Sequence, residues 1–401
     1  MNDAAPGEPM AGRAEATVDP IARARALVPL LQSAAAEIDA TCELPPAVLD
    51  AMHAAGMFRL LIPRAYGGEE LDPLTYVQGV EQIATGDASA AWCMNQGSGC
   101  SMSAAYVAPE VARDVWGGPR DVLAWGQGPG ARAVRVPGGG RVTGTWSFAS
   151  GSRHATWLGA HCPCFAADGT QERTPEGRPW ERTMLIPRSQ AKIEDVWHVM
   201  GLRGTGSDNY TFEDVFVDDG HTLTRDSAAE RREPGLLYRF AAMQLYAAGF
   251  ASVGLGVARA TLDAFIALAR VKTPALNTQS LRDNAAVQGI IGHADARWKA
   301  ARAGLHAALR DVQAHVAETG ALSTADRMAI RQASTFAIHE ARQVVHDIYH
   351  EAGATAIFAS QPFERRLRDM NAVSQQTQGR RSHLETVGHW MLGGEPNLRW
   401  V

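Results

Sequence analysis

Two sets of residues in this 401-residue chain have the types and spacing to do chemistry. His346 and His350 stand four apart in a helical pattern, which aligns two imidazoles on one face as a divalent metal requires. The string that begins at His339-Glu340, however, reaches Gln343 where a zinc protease needs its second histidine. His161, Cys162 and Cys164 form a second cluster of donors, but Cys-Pro-Cys is tighter than structural zinc sites use and no second pair follows. Both sets read as helix and strand residues, and no metal site is expected. Phosphate-cradling Walker loops, dinucleotide-binding glycine fingerprints and strand–elbow serines are absent from the sequence, which excludes the commonest nucleotide and acyl-hydrolase chemistries.

The elements that must position these residues follow an order of helical, β and helical. Residues 20–120 keep helical spacing, interrupted at Pro45-Pro46 and at the turn-rich Pro63 to Gly68. Asp72-Pro73 supplies an N-cap carboxylate and an N1 proline for another helix running through Gln82. Over 121–225 the short alternating runs Arg141 to Trp146, Thr156 to Cys162, Thr183 to Ile186 and Asn209 to Val217 are punctuated by Gly and Pro, as in a small β domain. From 234 to 401 long helical patterns return, with breaks at Pro274, Gly320 and Gly353 that predict four or five helices. Residues 1–19 read as a frayed tail without a secretory apolar core.

Composition narrows the setting. A 46% hydrophobic, 20% charged chain of this length buries a substantial core and is not disordered. With 38 Lys+Arg against 43 Asp+Glu there is no field for nucleic acid or an acidic membrane surface. The uncharged run Phe240 to Ala258 is long enough to span a bilayer, but its glycines, its alanines and Gln244 make it a helix buried inside a bundle. Five cysteines, an odd number sparsely spread, fit reduced thiols in a cytoplasmic protein.

Four segments at matching order and spacing carry a resemblance. They are Ile62-Pro63 with Tyr66-Gly67-Gly68, Gly144 to Trp157, Gly201-Leu202-Arg203-Gly204-Thr205-Gly206-Ser207 leading into Phe212 to Val215, and Gly353 to Asp369. Together they make the chain similar to the acyl-CoA dehydrogenase-fold flavoproteins. The resemblance implies a mainly α fold with an N-terminal helical domain, a central β-barrel and a C-terminal four-helix bundle, assembling as a homotetramer. Dehydrogenases of that fold abstract a proton α to a thioester with a Glu in one of two places. Here Arg368-Asp369 is followed by MNAVSQQTQGR, and no acid occurs between Glu233 and Asp263, so both places lack a base.

What remains resembles the two-component reduced-flavin monooxygenases of this fold, in Trp146 to Ala155 and Pro362 to Asp369. In such enzymes a separate flavin reductase supplies FMNH2 or FADH2, O2 adds at flavin C4a, and the hydroperoxide hydroxylates an aromatic or polycyclic small molecule. The resemblance implies Ser150 beside flavin N5, Trp146, Ser147 and Phe148 along the ring, Arg270 and Gln288 at the phosphate or adenine end, and Gly353 with Ser360 reaching it from a neighbouring subunit. It places the substrate among Trp92, Asn95, Gln96, Ser98 and Gln376. Phenol-hydroxylating relatives carry histidines where this chain has Ser98 or Gly99, and Gln375 or Gln376. His154 is then a base, a hydrogen-bonding partner of the peroxide, or a scaffold histidine. The small residues from Gly97 to Ser103 make either a roomy pocket wall or a close helix contact. Oxygenation of an amine or sulfur on the same fold, and an acyl-CoA dehydrogenase with a displaced base, are the alternative activities.

Overall fold

The computed structural model describes residues 19–225, 227–275 and 278–398. Of the expected tail, residues 1–18 lie outside the described residues, and Asp19 caps the first helix by accepting from the amides of Ile21 and Ala22. Five helices follow: α1 Pro20–Thr41, α2 Pro46–Ala54, α3 Pro73–Gly86, α4 Ala88–Ser101 and α5 Pro109–Trp116. Asp72 caps α3 through Leu74 N and Thr75 N at 3.0 Å each, so the Asp-Pro pair starts the helix where the sequence placed it. Asp87 ends α3 and caps α4 through Ala90 N, which turns α4 sharply back into the interior.

The middle segment contains β1 Leu123–Trp125, β2 Arg132–Val136, β3 Gly139–Ala149, β4 Trp157–Phe165, β5 Glu181–Pro187, β6 Lys192–Glu194, β7 Asp208–Asp218 and β8 Thr222–Leu223. Their order is β6-β7-β3-β2-β4-β5-β8, with β1 paired to β4. β2 and β1 run parallel to β4, and the other pairs are antiparallel. The sheet is open, not the closed barrel expected from the sequence: its path ends on the short β6 and β8, which pair with one neighbour each. Strands of three and two residues supply too few ladder bonds to close the circuit. The core of the sheet is aromatic, with Trp146 stacked on Tyr210 and edge-on to Phe212.

The C-terminal helices are α6 Ala242–Ala269, α7 Ala285–Thr319, α8 Thr324–Ala352, α9 Phe363–Gln375 and α10 Ser382–Met391. Gly320 at φ +76° ends α7, and Ser323 with Asp326 forms a capping box that begins α8. α6 is the apolar run that length alone would allow across a bilayer. Twenty of its residues are buried, and it packs against α3, α4, α7, α8 and α9, so its uniform apolarity reflects contact on all sides.

Candidate active site

A defect in the pairing of β3 with β7 creates the site. The register shifts between Trp146 and Ala149, and within that bulge Phe148 takes the left-handed conformation at φ +59°. Ser150 N then donates to Phe148 O at 3.0 Å, and the tight turn brings the Ser150 hydroxyl against helix α4 and the Gly201–Ser207 segment. Phe148 itself is 65% exposed, its ring edge-on to Trp197 at 6.1 Å.

Ser150 heads a chain of buried hydroxyls. Trp92 Nε1 on α4 donates to Ser150 Oγ at 3.0 Å, and Ser150 Oγ lies 2.7 Å from Ser207 Oγ. Ser207 Oγ is 2.7 Å from Thr205 Oγ1, which donates to Leu202 O at 2.8 Å. Gly206, at φ +47°, makes the turn that sets Thr205 and Ser207 on the same side; a Cβ there would sit 2.7 Å from Arg153 Cδ. Exposure falls from 8% at Ser150 to 2% at Thr205 and 1% at Ser207, so the chain runs from the site rim into the interior. The two segments are laced together by Gly151 N to Thr205 O at 2.9 Å, Ser152 Oγ to Gly206 O at 3.1 Å, and the Arg153–Asp208 fork at 2.7 and 3.2 Å.

Leu202, at φ +53°, is fixed from the C-terminal domain: its N–H donates to Asp369 Oδ1 at 2.7 Å, while its carbonyl also accepts from Trp197 Nε1 at 3.0 Å. Burial raises the Asp369 carboxyl to about 7, with the nearby Asp87 adding to the shift. Arg368 pairs with Glu364 and Asp39 and donates to Met200 O, and Arg366 donates to Ala260 O. Arg366, Arg368 and Asp369 thereby join α9 to α6, to α1 and to the Met200–Leu202 segment.

The remaining predicted residues divide. Trp92 reaches the site and packs on Phe250 of α6 with ring centroids 4.0 Å apart. Gln96 is half-buried beside Cys100, and Cys100 contacts Tyr246 at 3.3 Å. Asn95 is buried, accepting from Tyr76 OH at 2.7 Å, and Ser98 is fully buried on the same helix. The small residues of α4 serve close packing, not an open wall: a Cβ on Gly99 would lie 2.4 Å from the Tyr246 ring. Gln376 caps the turn after α9 by accepting from Gln378 N, so its carbonyl oxygen is engaged with the backbone. Trp146 is fully buried and donates from Nε1 to His161 O, so its indole belongs to the sheet core and is not available to flank a ring. Ser147 exchanges backbone bonds with Gln127 at the sheet surface.

His154 lies in the turn after Ser150 with Nε2 sealed from solvent and without a hydrogen-bond partner, its ring tilted against Phe58 at 5.4 Å. Burial, followed by the nearby His53 and Arg188, lowers it to about 3. A neutral imidazole that holds a proton so weakly is a poor general base. Arg270, Gln288, Gly353 and Ser360 are exposed at one end of the helical bundle, where Lys272 Nζ bonds Ala352 O and Thr355. The described chain brings Ser150, Trp92 and Phe148 together at the bulge and leaves these four at the bundle end.

Sequence reading missed Thr205 and Ser207 as a hydrogen-bonded extension of Ser150, although hydroxyls two residues apart entering a strand were visible. It also missed the Arg225 guanidinium 4.6 Å over Trp125, whose Nη1 donates to Gly99 O at 2.9 Å. Only the fold brings residues 99, 125 and 225 together. Among the described residues no cluster of His, Cys, Asp or Glu could hold a metal.

Comparison with known proteins bears on this geometry. The acyl-CoA dehydrogenase N-terminal domain matches residues 24–115 and the C-terminal domain of the same family matches residues 248–379. Indole-3-acetate monooxygenase of Pseudomonas putida is 30% identical over 364 residues, 90% of each chain. The oxygenase subunit HsaA of a flavin-dependent monooxygenase from Rhodococcus jostii is 29% identical over 369 residues, 87% of this chain and 92% of its own. The crystal structure of 3-HSA hydroxylase from Rhodococcus sp. RHA1 has a TM-score of 0.87 at 25% identity, covering 96% of this chain and all of that one.

Proposed function

The chain belongs to the flavin-dependent monooxygenases of the acyl-CoA dehydrogenase fold, and we propose that it is the oxygenase component of a two-component system that hydroxylates an aromatic or polycyclic small molecule. It takes FMNH2 or FADH2 from a separate flavin reductase and uses O2. The observation that carries this reading is the Ser150 hydroxyl at the β3 bulge, held by Trp92 Nε1 and Ser207 with a lone pair to spare. That acceptor fits the N5–H of a reduced flavin, and the exposed Phe148 ring beside it fits the flat apolar face of the isoalloxazine.

When bound, the reduced flavin supplies the oxygen-activating chemistry. The residues of this chain seat and shield it. Ser150 orients the ring edge, Trp92 holds Ser150, and Phe250 behind Trp92 keeps that wall dry. The two dehydrogenase base positions lack a carboxylate, and Asp263, the first acid on α6, is paired with Arg259 at 2.5 Å. Proton abstraction from a thioester is therefore the weaker use of this fold.

Substrate ionisation sets the narrower reading. A phenol has an unperturbed pKa of about 10 and gains from a base near neutrality. With His154 held neutral and Gln376 engaged with Gln378 N, the chain favours substrates that need no base, such as an indole-like ring or an acidic polyphenol. Arg270, Gln288, Gly353 and Ser360, exposed at the bundle end, would serve the phosphate or adenine end of a flavin bound at Ser150 of a neighbouring copy in a homotetramer.

The test is incubation with a flavin reductase, FMN or FAD and 18O2, using indole and resorcinol as probes and reading one 18O in the product by mass spectrometry. Tightly held oxidised FAD that an acyl-CoA reduces, without oxygenated product, would overturn the reading. Oxygenation of an amine or sulfide probe alone would move it to heteroatom chemistry.

A further inference from the structure

The hydroxyl chain has a direction, and the direction selects a redox state of the cofactor. A carbonyl cannot donate, so the 2.8 Å contact between Thr205 Oγ1 and Leu202 O must be filled by the Thr205 proton. Thr205 then has none left for Ser207, and the 2.7 Å contact between them must be filled by the Ser207 proton. By the same step the 2.7 Å contact between Ser207 and Ser150 takes the proton of Ser150. Ser150 has now spent its only proton and has accepted Trp92 Nε1–H with one of its two lone pairs. One lone pair remains and no donor.

Burial makes this assignment hard to invert. Thr205 and Ser207 retain 2% and 1% of their surface, so water does not compete for their protons. Reversing the chain would leave the Thr205 hydroxyl facing Leu202 O lone pair to lone pair. Leu202 O cannot swing away, because its own N–H is tied to Asp369 Oδ1 at 2.7 Å and its carbonyl also accepts Trp197 Nε1 and Thr205 N. The anchor that sets the proton order in the middle segment thus comes from α9.

We infer that Thr205 and Ser207 are positioning residues that lock Ser150 as an acceptor, so that the site favours reduced flavin, whose N5 carries a hydrogen, over oxidised flavin, whose N5 is itself an acceptor. The inference rests on the flavin reading above and adds to it a mechanism for handing the cofactor back. Oxidised flavin would set two acceptors face to face at Ser150, with no proton available between them. That mismatch suits a protein that must receive reduced flavin from a reductase and release the oxidised form.

The experiment is anaerobic titration of the full chain with reduced FMN and, separately, oxidised FMN, repeated with FAD, reading the two dissociation constants by protein fluorescence. Ser207→Ala frees the Ser150 proton to turn toward N5. It should tighten oxidised flavin relative to reduced and cut the affinity ratio by roughly tenfold, the worth of about one hydrogen bond. Thr205→Val should move the ratio the same way, and Thr205→Ser, which keeps the hydroxyl, should restore the parent value. A purely structural role would weaken both redox states alike and leave the ratio where it was, which overturns the inference. If Ser207→Ala does not fold, the Thr205→Val and Thr205→Ser pair decides by the same ratio. Parent protein that binds reduced flavin with a ratio insensitive to these variants defeats the relay alone; parent protein that binds neither redox state defeats the flavin reading and the relay together.

Discussion

Replacing His154 by leucine tests whether this ring belongs to the scaffold or to the chemistry. Its Nε2 is sealed and unpartnered beside Phe58, and burial lowers it from 6.5 to about 3. Below pH 6.5 the unfolded chain takes up a proton that the folded chain refuses, so stability contributed by the neutral ring is lost progressively from about pH 6.5 down to about 3. At pH 7.5 the term is near zero. At pH 5 the unfolded histidine lies about 1.5 units below its pKa, which at about 1.4 kcal/mol per unit costs the parent protein ~2 kcal/mol. The residue as a whole is half-buried, so that figure is a ceiling and 1–2 kcal/mol is the expected range, on the order of a single buried polar group. Leucine has a similar volume and no nitrogen to leave unsatisfied, so His154→Leu should be neutral or slightly stabilising at pH 7.5. Urea unfolding at pH 7.5 and 5.0, read by tryptophan fluorescence, gives the difference between parent and variant at each pH. That difference should widen by about 1–2 kcal/mol in favour of leucine as the pH falls. A change under ~0.5 kcal/mol would mean that the ring is protonated in the folded state and the burial argument is wrong. Hydroxylation should survive with an unaltered pH profile; loss of product while reduced flavin still binds would return His154 to the role of base.

Three further outcomes follow from other parts of the fold. Asp369, raised from 3.8 to about 7, makes the folded state the better proton binder, so its contribution to stability is present at low pH and fades as pH rises toward 7. Asp369→Asn should remove a slope of about 2 kcal/mol between pH 5 and 7 in urea unfolding, and an unchanged slope would place the titration elsewhere. Gly249→Ala would put a Cβ 1.8 Å from Asn95 Oδ1, displacing Asn95 from Tyr76 OH, and should cost roughly 2–3 kcal/mol of stability; a thermal midpoint within a degree of the parent would show that α4 and α6 are not packed this closely. Arg270→Ala should weaken reduced FMN but not reduced riboflavin, which lacks the phosphate, by about tenfold; equal effects on both, or a chain that sediments as a monomer with full flavin affinity, would remove the bundle end from the flavin site.

The local sequence decided the elements. Asp72-Pro73 starts α3 because a cap and a pre-set φ act within one turn, and Gly320 ends α7 because a left-handed residue is needed there. Alternating runs marked β3, β4, β5 and β7, whereas β1, β6 and β8 are two or three residues long and carry no periodicity to detect. Ser150 was singled out by its place in a motif, and the absence of an acid after Arg368-Asp369 is plain on inspection. Tertiary structure decided whether the sheet closes, since that depends on the ends of β6 and β8 finding partners. It also separated residues that the motif listed side by side. Strand alternation and the bulge send Trp146 into the core, Phe148 into solvent and Ser150 against Trp92, and a register shift of this kind is a property of two strands together. The proton order along Ser150, Ser207 and Thr205 depends on a carbonyl at Leu202 that Asp369, 167 residues away in sequence, holds in place. Composition fixes how many hydroxyls a chain has, but only the packing of distant segments fixes which way their protons point.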